Sequence, residues 1–249
     1  MKPQELAQLN DEQLLEVAKQ NKPSPLFDAF FIGLAIGIII FGVATNGWWW
    51  FATDSIDFTL TTTVPVNLNL ATAATQIVHA TNLSLILGSG TNFENANGGT
   101  GSDTLIGNSL PNRLAGGSGN NVLVGLNGAD TLIGGTGRDI LIGGLGLDTL
   151  NGDAGDDILI AGRTSSDTNF SNLNTLRTGW ISSASYSTRV TNLRAGVGSP
   201  VVSLKAKTNV LNDSGEDDLL TGGTDTDWYL RAVDDAITDL FAGEFSDVL

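Results

Sequence analysis

The chain has no cysteine among its 249 residues. Disulfide staples and thiolate zinc sites are therefore excluded, and any cross-linking of the fold must come from another source. Histidine is nearly absent: His79, in TQIVHATN, is the only one, and with no cysteine and no serine elbow in the sequence neither a nucleophile–histidine triad nor a histidine-rich metal centre is expected. Basic residues are scarce, 12 against 27 acidic, for a net charge of -15. Such a surface repels nucleic acid and anionic lipid and favours cations. Phosphate-cradling loops are missing too, because the glycines obey a different period. The carboxylates could supply a glycosidase pair, but those with a recognisable spacing have another explanation below. No catalytic residue is expected.

Charge is also missing locally. Ala29 to Thr53 contains no charged side chain, and FFIGLAIGIIIFGVA at its centre is followed by Trp48, Trp49 and Trp50. About 20 such residues span a bilayer as a helix, with tryptophan at the interface. Residues 26–52 are therefore read as a transmembrane helix. Lys19 and Lys22 on one side orient the N-terminus to the cytoplasm and all that follows to the outside. A cleaved signal peptide ending near Gly42, Val43 and Ala44 is the rival reading, opposed by the long acidic stretch before the run. Ala29, Gly33 and Gly37 recur every four residues, a spacing that suits helix pairing and hence a homodimer. Residues 1–25 form an amphipathic cytoplasmic segment, with NDEQLLEVAKQ as a short capped helix.

What the chain has in abundance is glycine, 31 residues, in register with aspartate and leucine. Seven nonapeptides run without a break: GGTGSDTLI from Gly98, GNSLPNRLA from Gly107, GGSGNNVLV from Gly116, GLNGADTLI from Gly125, GGTGRDILI from Gly134, GGLGLDTLN from Gly143 and GDAGDDILI from Gly152. The eighth place is leucine in all seven. A period of nine matches neither a helix nor simple strand alternation. Glycines at the first, second and fourth places suit a tight turn and close backbone approach. The three residues that end each repeat suit a short strand whose central leucine points inward. One turn and one strand make half a coil, so two repeats complete it, the leucines stack, and parallel strands line two opposing faces of a right-handed solenoid.

The sixth place holds Asp103, Asn112, Asn121, Asp130, Asp139, Asp148 and Asp157. Carboxylates stacked in a column repel unless a cation lies between them, and hard oxygen ligands at this density match Ca2+. Alternate repeats share an edge, so an ion belongs between one repeat and the next but one. The best pairs are Asp130 with Asp148 and Asp139 with Asp157. Pairs that contain Asn112 or Asn121 lose a carboxylate and should bind more weakly or not at all; an asparagine there can instead hold its own turn. Further on, Asp218 with Leu220, and Asp227 with Tyr229 in GGTDTDWYL, fall at the sixth and eighth places and read as a degenerate continuation. The candidate metal ligands are thus Asp103, Asn121, Asp130, Asp139, Asp148, Asp157, Asp218 and Asp227.

These residues resemble the hemolysin-type, or RTX, calcium-binding repeats, which form a parallel β-roll; the likeness covers Gly98 to Ile160. SLILGSGTNFENANGGTGSDTLIGN, DILIAGRTSSDTNF and GGTDTDWYL are similar to the C-terminal ends of large planctomycete-type surface or secreted proteins. The resemblance implies export and folding where calcium is abundant.

The expected fold is an all-β solenoid: a β-rich cap over 53–97, the roll over 98–162, a helical or irregular insertion over 163–211 and an acidic region over 212–249. In the cap, DFTLTTTVPVNLNL and NLSLIL alternate as strands should. In the insertion, Leu173, Leu176 and Trp180 lie at helical spacing, and the segment is expected to cap the distal end of the leucine core. A sugar platform of Trp180 and Trp228 is the less favoured alternative. Residues 163–207 carry six basic groups against Asp167, and residues 212–249 eleven acidic groups against Arg231, so the two segments are suited to neutralise each other. Two functions are expected: a calcium-dependent structural or adhesion module outside the cell, or the calcium-binding tail of a secreted hydrolase whose catalytic domain lies elsewhere.

Overall fold

A computed structural model describes residues 39–41, 54–58, 65–72, 76–79, 83–85, 93–213 and 216–249. The amphipathic segment 1–25, the Gly33 and Gly37 pairing and nearly all of the span 26–52 lie outside the described residues. The exception is Ile39–Phe41, which is a strand paired antiparallel with Asp54–Asp57 rather than a turn of helix. An isoleucine-rich apolar run suits a buried strand as well as a helix, and its periodicity does not separate the two. Among the described residues no helix is long and apolar enough to cross a membrane.

The repeats wind as two parallel sheets. One holds Phe93–Gly99, Arg113–Ser118, Thr131–Thr136 and Thr149–Ala154; the other holds Thr104–Ile106, Val122–Asn127, Ile140–Leu145 and Ile158–Ile160. Leu114 pairs with Leu132 and Leu132 with Leu150 in the first sheet, while Leu105, Leu123, Leu141 and Leu159 follow one another in the second. Side chains at the eighth place from both sheets are fully buried in one core, as a one-residue inward point on each short strand requires. Asp54–Asp57 extends the first sheet and Asn67–Asn69 the second, and Ile56 and Leu68 continue the core column. Gln76–His79 and Leu83–Leu85 form a separate antiparallel pair, which places the lone histidine in a strand.

The roll does not stop at Ile160. Leu219–Thr221 pairs with Thr149–Ala154, and Trp228–Arg231 pairs with Ile158–Ile160, so residues 218–231 form the next coil. Ala236–Ile237 and Phe245–Val248 add one more. The degenerate repeat read around Asp218 and Asp227 is therefore a true rung.

The intervening insertion carries two helices, α1 (Phe170–Trp180) and α2 (Tyr186–Ala195). Asn169 caps α1 by accepting from the Asn172 N–H, and Ser185 caps α2 through Thr188. The insertion does not close the end of the leucine core as expected. It lies on the outer face of the second sheet, where Val122, Val124, Ile140, Ile142, Ile158 and Ile160 are buried against Leu173, Leu176, Trp180, Val190 and Leu193. The cause is visible in the repeats: after TLI at Thr104–Ile106 the second sheet reads VLV, ILI and ILI, apolar on both faces, whereas the first reads RLA, TLI and TLN. A sheet apolar on both faces must be covered on both.

Polar ties fix the insertion in place. Arg189 is 1% exposed and pairs with Asp156, its guanidinium 4.3 Å from the centre of the Trp180 ring. Trp180 Nε1 donates to the Asp156 carbonyl at 2.7 Å, and Tyr186 donates its hydroxyl to the Asp227 carbonyl at 2.5 Å. Arg194 reaches Asp247 at 2.6 Å, the one ion pair among the described residues that joins the basic insertion to the acidic C-terminal region. Trp180 and Trp228 are both fully buried, 6.4 Å apart, and offer no face to a sugar.

Candidate metal centre

The turns fall on two edges of the roll. Along one edge stand Asp103, Asn121, Asp139, Asp157 and Asp227; along the other stand Asn112, Asp130, Asp148, Asp218 and Asp235. Every one of these side chains is buried. Each edge is tied by one repeated hydrogen bond, in which a side-chain Oδ1 accepts the backbone N–H of the sixth-place residue one coil back. The distances are 2.8 Å from Asp139 to Asp157, 2.8 Å from Asp130 to Asp148 and 2.9 Å from Asp103 to Asn121. The tie spans 18 residues inside the repeats and 70 across the insertion, where Asp148 donates to Asp218 and Asp157 to Asp227. At the start of the column Val66 donates to Asp103.

One oxygen of each aspartate is spent in this way, and the other is not. Oδ2 of Asp103, Asp130, Asp139, Asp148, Asp157, Asp218 and Asp227 is buried and has no hydrogen-bond donor. An ionised oxygen left so costs far more than one in water. Its surroundings say what it awaits. A Cβ built on Gly134 would collide with Asp139 Oδ2 and with the carbonyl oxygen of Gly152 in the next coil of the same edge. The same pair recurs beside Gly125 (Asp130 and Gly143), Gly143 (Asp148 and Ala161) and Gly152 (Asp157 and Gly222). The first glycine of the repeat therefore keeps open a space bordered by a carboxylate and a carbonyl oxygen. Its role is close approach, whereas Gly137 at the fourth place, with φ of 127°, supplies the turn itself.

Burial drives these carboxyls upward. Asp103 rises to about 6, Asp130, Asp139 and Asp227 to about 7, and Asp148 and Asp218 to about 8, in each case chiefly by desolvation. Asp157 reaches about 10, because the charges of Asp139 and Asp227 add to desolvation. A column of this kind holds protons or metal cations at neutral pH rather than bare charge. Among the described residues no three acidic or histidine side chains gather around one point. An ion must accordingly draw on backbone carbonyls as well as carboxylates, which calcium accepts readily at six to eight oxygens.

Residues 89–164 match the family model of the RTX calcium-binding nonapeptide repeat in four copies, over 89–109, 97–132, 107–141 and 133–164. This segment of the chain is an RTX repeat array. RTX repeats bind Ca2+, and the donor set just described fits that ion: hard oxygens only, buried, unpartnered and repeated along each edge. No curated protein and no solved structure matches the chain.

The structure separates the candidate residues of the RTX array into three groups. Asp103, Asp130, Asp139, Asp148 and Asp157 have a free buried oxygen, and Asp218 and Asp227 join them although they follow the matched segment. Asn121 does not. Its Oδ1 is occupied by the Asp103 N–H, and its Nδ2, a donor, faces the Gly134 carbonyl at 3.4 Å, where the aspartates present an oxygen. Asn112 likewise spends Oδ1 on the Asn108 N–H at 2.7 Å, an asparagine holding its own turn. The third group went unread in the sequence. Asp235 accepts from Asp218 at 3.2 Å and Glu244 from Asp227 at 3.3 Å, and the second oxygens of both accept Ala232 and Phe241 N–H groups. These two close the columns with no free oxygen. Asp235 stands two places before Ile237, as the repeat requires, but a spacing of 17 rather than 18 and the lack of the repeat's glycines hid it, and Glu244 precedes Ser246, which carries no apolar signal.

Proposed function

We propose that the chain is a calcium-folded β-roll that serves as a structural or adhesive module outside the cell. The observation that carries this reading is the double row of buried, unpartnered Oδ2 atoms, each beside a backbone carbonyl and kept accessible to an ion by a glycine. In the absence of cations those oxygens must be protonated or repel; with calcium they become the cross-links that a cysteine-free chain otherwise lacks. RTX repeat proteins are typically secreted or surface-exposed, and calcium is abundant in such settings. The repeat is a calcium-binding module rather than a catalytic one, and the sequence offers neither a cysteine nor a serine elbow.

In this reading Asp139 and Asp157 hold ions on one edge and Asp130, Asp148 and Asp218 on the other. Calorimetric titration with calcium should show fewer ions bound by Asp139→Ala and by Asp157→Ala than by the parent chain, with the larger loss of stability in Asp157→Ala, which lies between Asp139 and Asp227. An unchanged number of bound ions in both variants would contradict the assignment.

A further inference from the structure

The two edges of the roll share the sixth-place tie but differ at the fifth place. On the edge of Asp139 that place holds Ser102, Asn120, Arg138, Asp156 and Thr226, all half-buried. On the edge of Asp148 it holds Pro111, Ala129, Leu147, Asp217 and Asp234, all exposed. The Asp139 edge therefore gains a second ladder. Ser102 Oγ accepts the Asn120 N–H at 3.0 Å, Asn120 Oδ1 accepts the Arg138 N–H at 2.9 Å, and Asp156 Oδ1 accepts the Thr226 N–H at 3.2 Å. Pro111, Ala129 and Leu147 have no side-chain oxygen with which to repeat it.

The insertion grips the same edge. Arg177 of α1 donates to the carbonyls of Ser102 at 2.7 Å and Asp103 at 3.1 Å, while Trp180 and Tyr186 donate to the carbonyls of Asp156 and Asp227. Arg138 in turn donates to the Ser182 carbonyl at 3.3 Å. These contacts run from the first repeat to the coil beyond the insertion, and none of them uses a free Oδ2. Among the described residues no side chain of α1 or α2 is hydrogen-bonded to the Asp148 edge.

We propose that the Asp148 edge is the calcium-responsive side of the roll, and that the Asp139 edge with the insertion is a frame that keeps its order when calcium is withdrawn. The proposal rests on the roll's binding of calcium. From Asp130 onward each side-chain tie on the Asp148 edge brings with it a buried Oδ2 without a donor, which opposes closure unless a cation is present. The Asp139 edge carries the same oxygens, but its turns are also joined by hydrogen bonds that calcium does not enter. Segments with more such ties open last. Loss of calcium should thus part the roll from one side.

Two amides make the comparison direct, because their ties are equal: Asp139 N–H to Asp157 on one edge and Asp130 N–H to Asp148 on the other, each 2.8 Å. Residue-resolved hydrogen exchange of the full chain is measured in saturating calcium chloride and in chelator, with bound ions counted by calorimetry. In chelator the Asp130 amide should lose protection on the order of tenfold more than the Asp139 amide, since each edge opens with its own free energy. Asn120→Ala, which removes a rung from the Asp139 edge, should narrow that gap. Ala129→Asn, which offers the Leu147 N–H an acceptor on the Asp148 edge, should narrow it from the other side. Equal losses at the two amides, a larger loss at Asp139, or a gap that neither variant narrows overturns the proposal and leaves calcium binding intact. Protection that is the same with and without calcium, in a chain that binds no ions, overturns the calcium reading as well.

Discussion

Asn121 shows how much one atom decides. It occupies the column between Asp103 and Asp139, its Oδ1 makes the same coil-to-coil tie as the aspartates, and its fold is theirs. Yet its Nδ2 points a donor at the Gly134 carbonyl, where Asp139 and Asp157 offer a bare oxygen. An amide there donates to the carbonyl that the aspartates leave free, and it brings no negative charge. Asn121→Asp should therefore create an ion site: the variant is expected to bind one more calcium ion than the parent by titration and to gain stability only when calcium is present. At a free calcium concentration a hundred times the dissociation constant, one added site contributes about 2.7 kcal/mol. No gain in bound calcium would mean that the free oxygen is not the ligand.

At the scale of the element, much was written plainly in the sequence and some of it only obliquely. The nonapeptide register, the stacked leucines and the two edges all follow from a period of nine, because each repeat is a turn and a strand with one inward residue. The free Oδ2 was not legible. An aspartate that only ties its turn and one that awaits an ion look alike in a sequence, and the distinction lies in which oxygen is already bonded. The site of the insertion was legible but needed a different comparison. Its resting place on the outer face of the second sheet is announced by VLV, ILI and ILI in alternate repeats, a contrast that vanishes when all seven are read as one consensus. The insertion's hold depends on Trp180, fully buried between α2 and that sheet and hydrogen-bonded to the Asp156 carbonyl. Removal of such a ring leaves a cavity, so Trp180→Ala should lower stability by about 3–5 kcal/mol in urea unfolding. Because Trp180 offers no oxygen to the ion columns, this loss should appear in calcium with the number of bound ions unchanged. A fall in the number of bound ions would show that the insertion and the columns act as one unit.

Over the whole molecule, the raised carboxyls set an unusual dependence on pH. Folded values of about 6 to 10 lie above the ordinary value of 3.8 in the unfolded chain, so without metal the folded state binds more protons than the unfolded state between those limits. Stability of the metal-free roll must then fall as pH rises from about 4 through the folded values. Calcium reverses the sign, since the ion competes with protons for the same oxygens and binds better as pH rises. Urea midpoints measured from pH 5 to pH 8 should descend in chelator and ascend in calcium, and the two curves should converge toward the acid end. Parallel curves would show that protons and calcium do not share these sites.

The account as a whole stands on calcium as the cross-link that closes the two edges. Its most direct test is a calcium titration of the full chain at neutral pH, followed by far-ultraviolet circular dichroism and by calorimetric counting of bound ions on the same sample. The account predicts weak strand signal in chelator, a cooperative rise in strand content as calcium is added, and completion of that rise when the ions between alternate repeats are in place. Spectra that stay the same at every calcium concentration, with no ions bound, would contradict it.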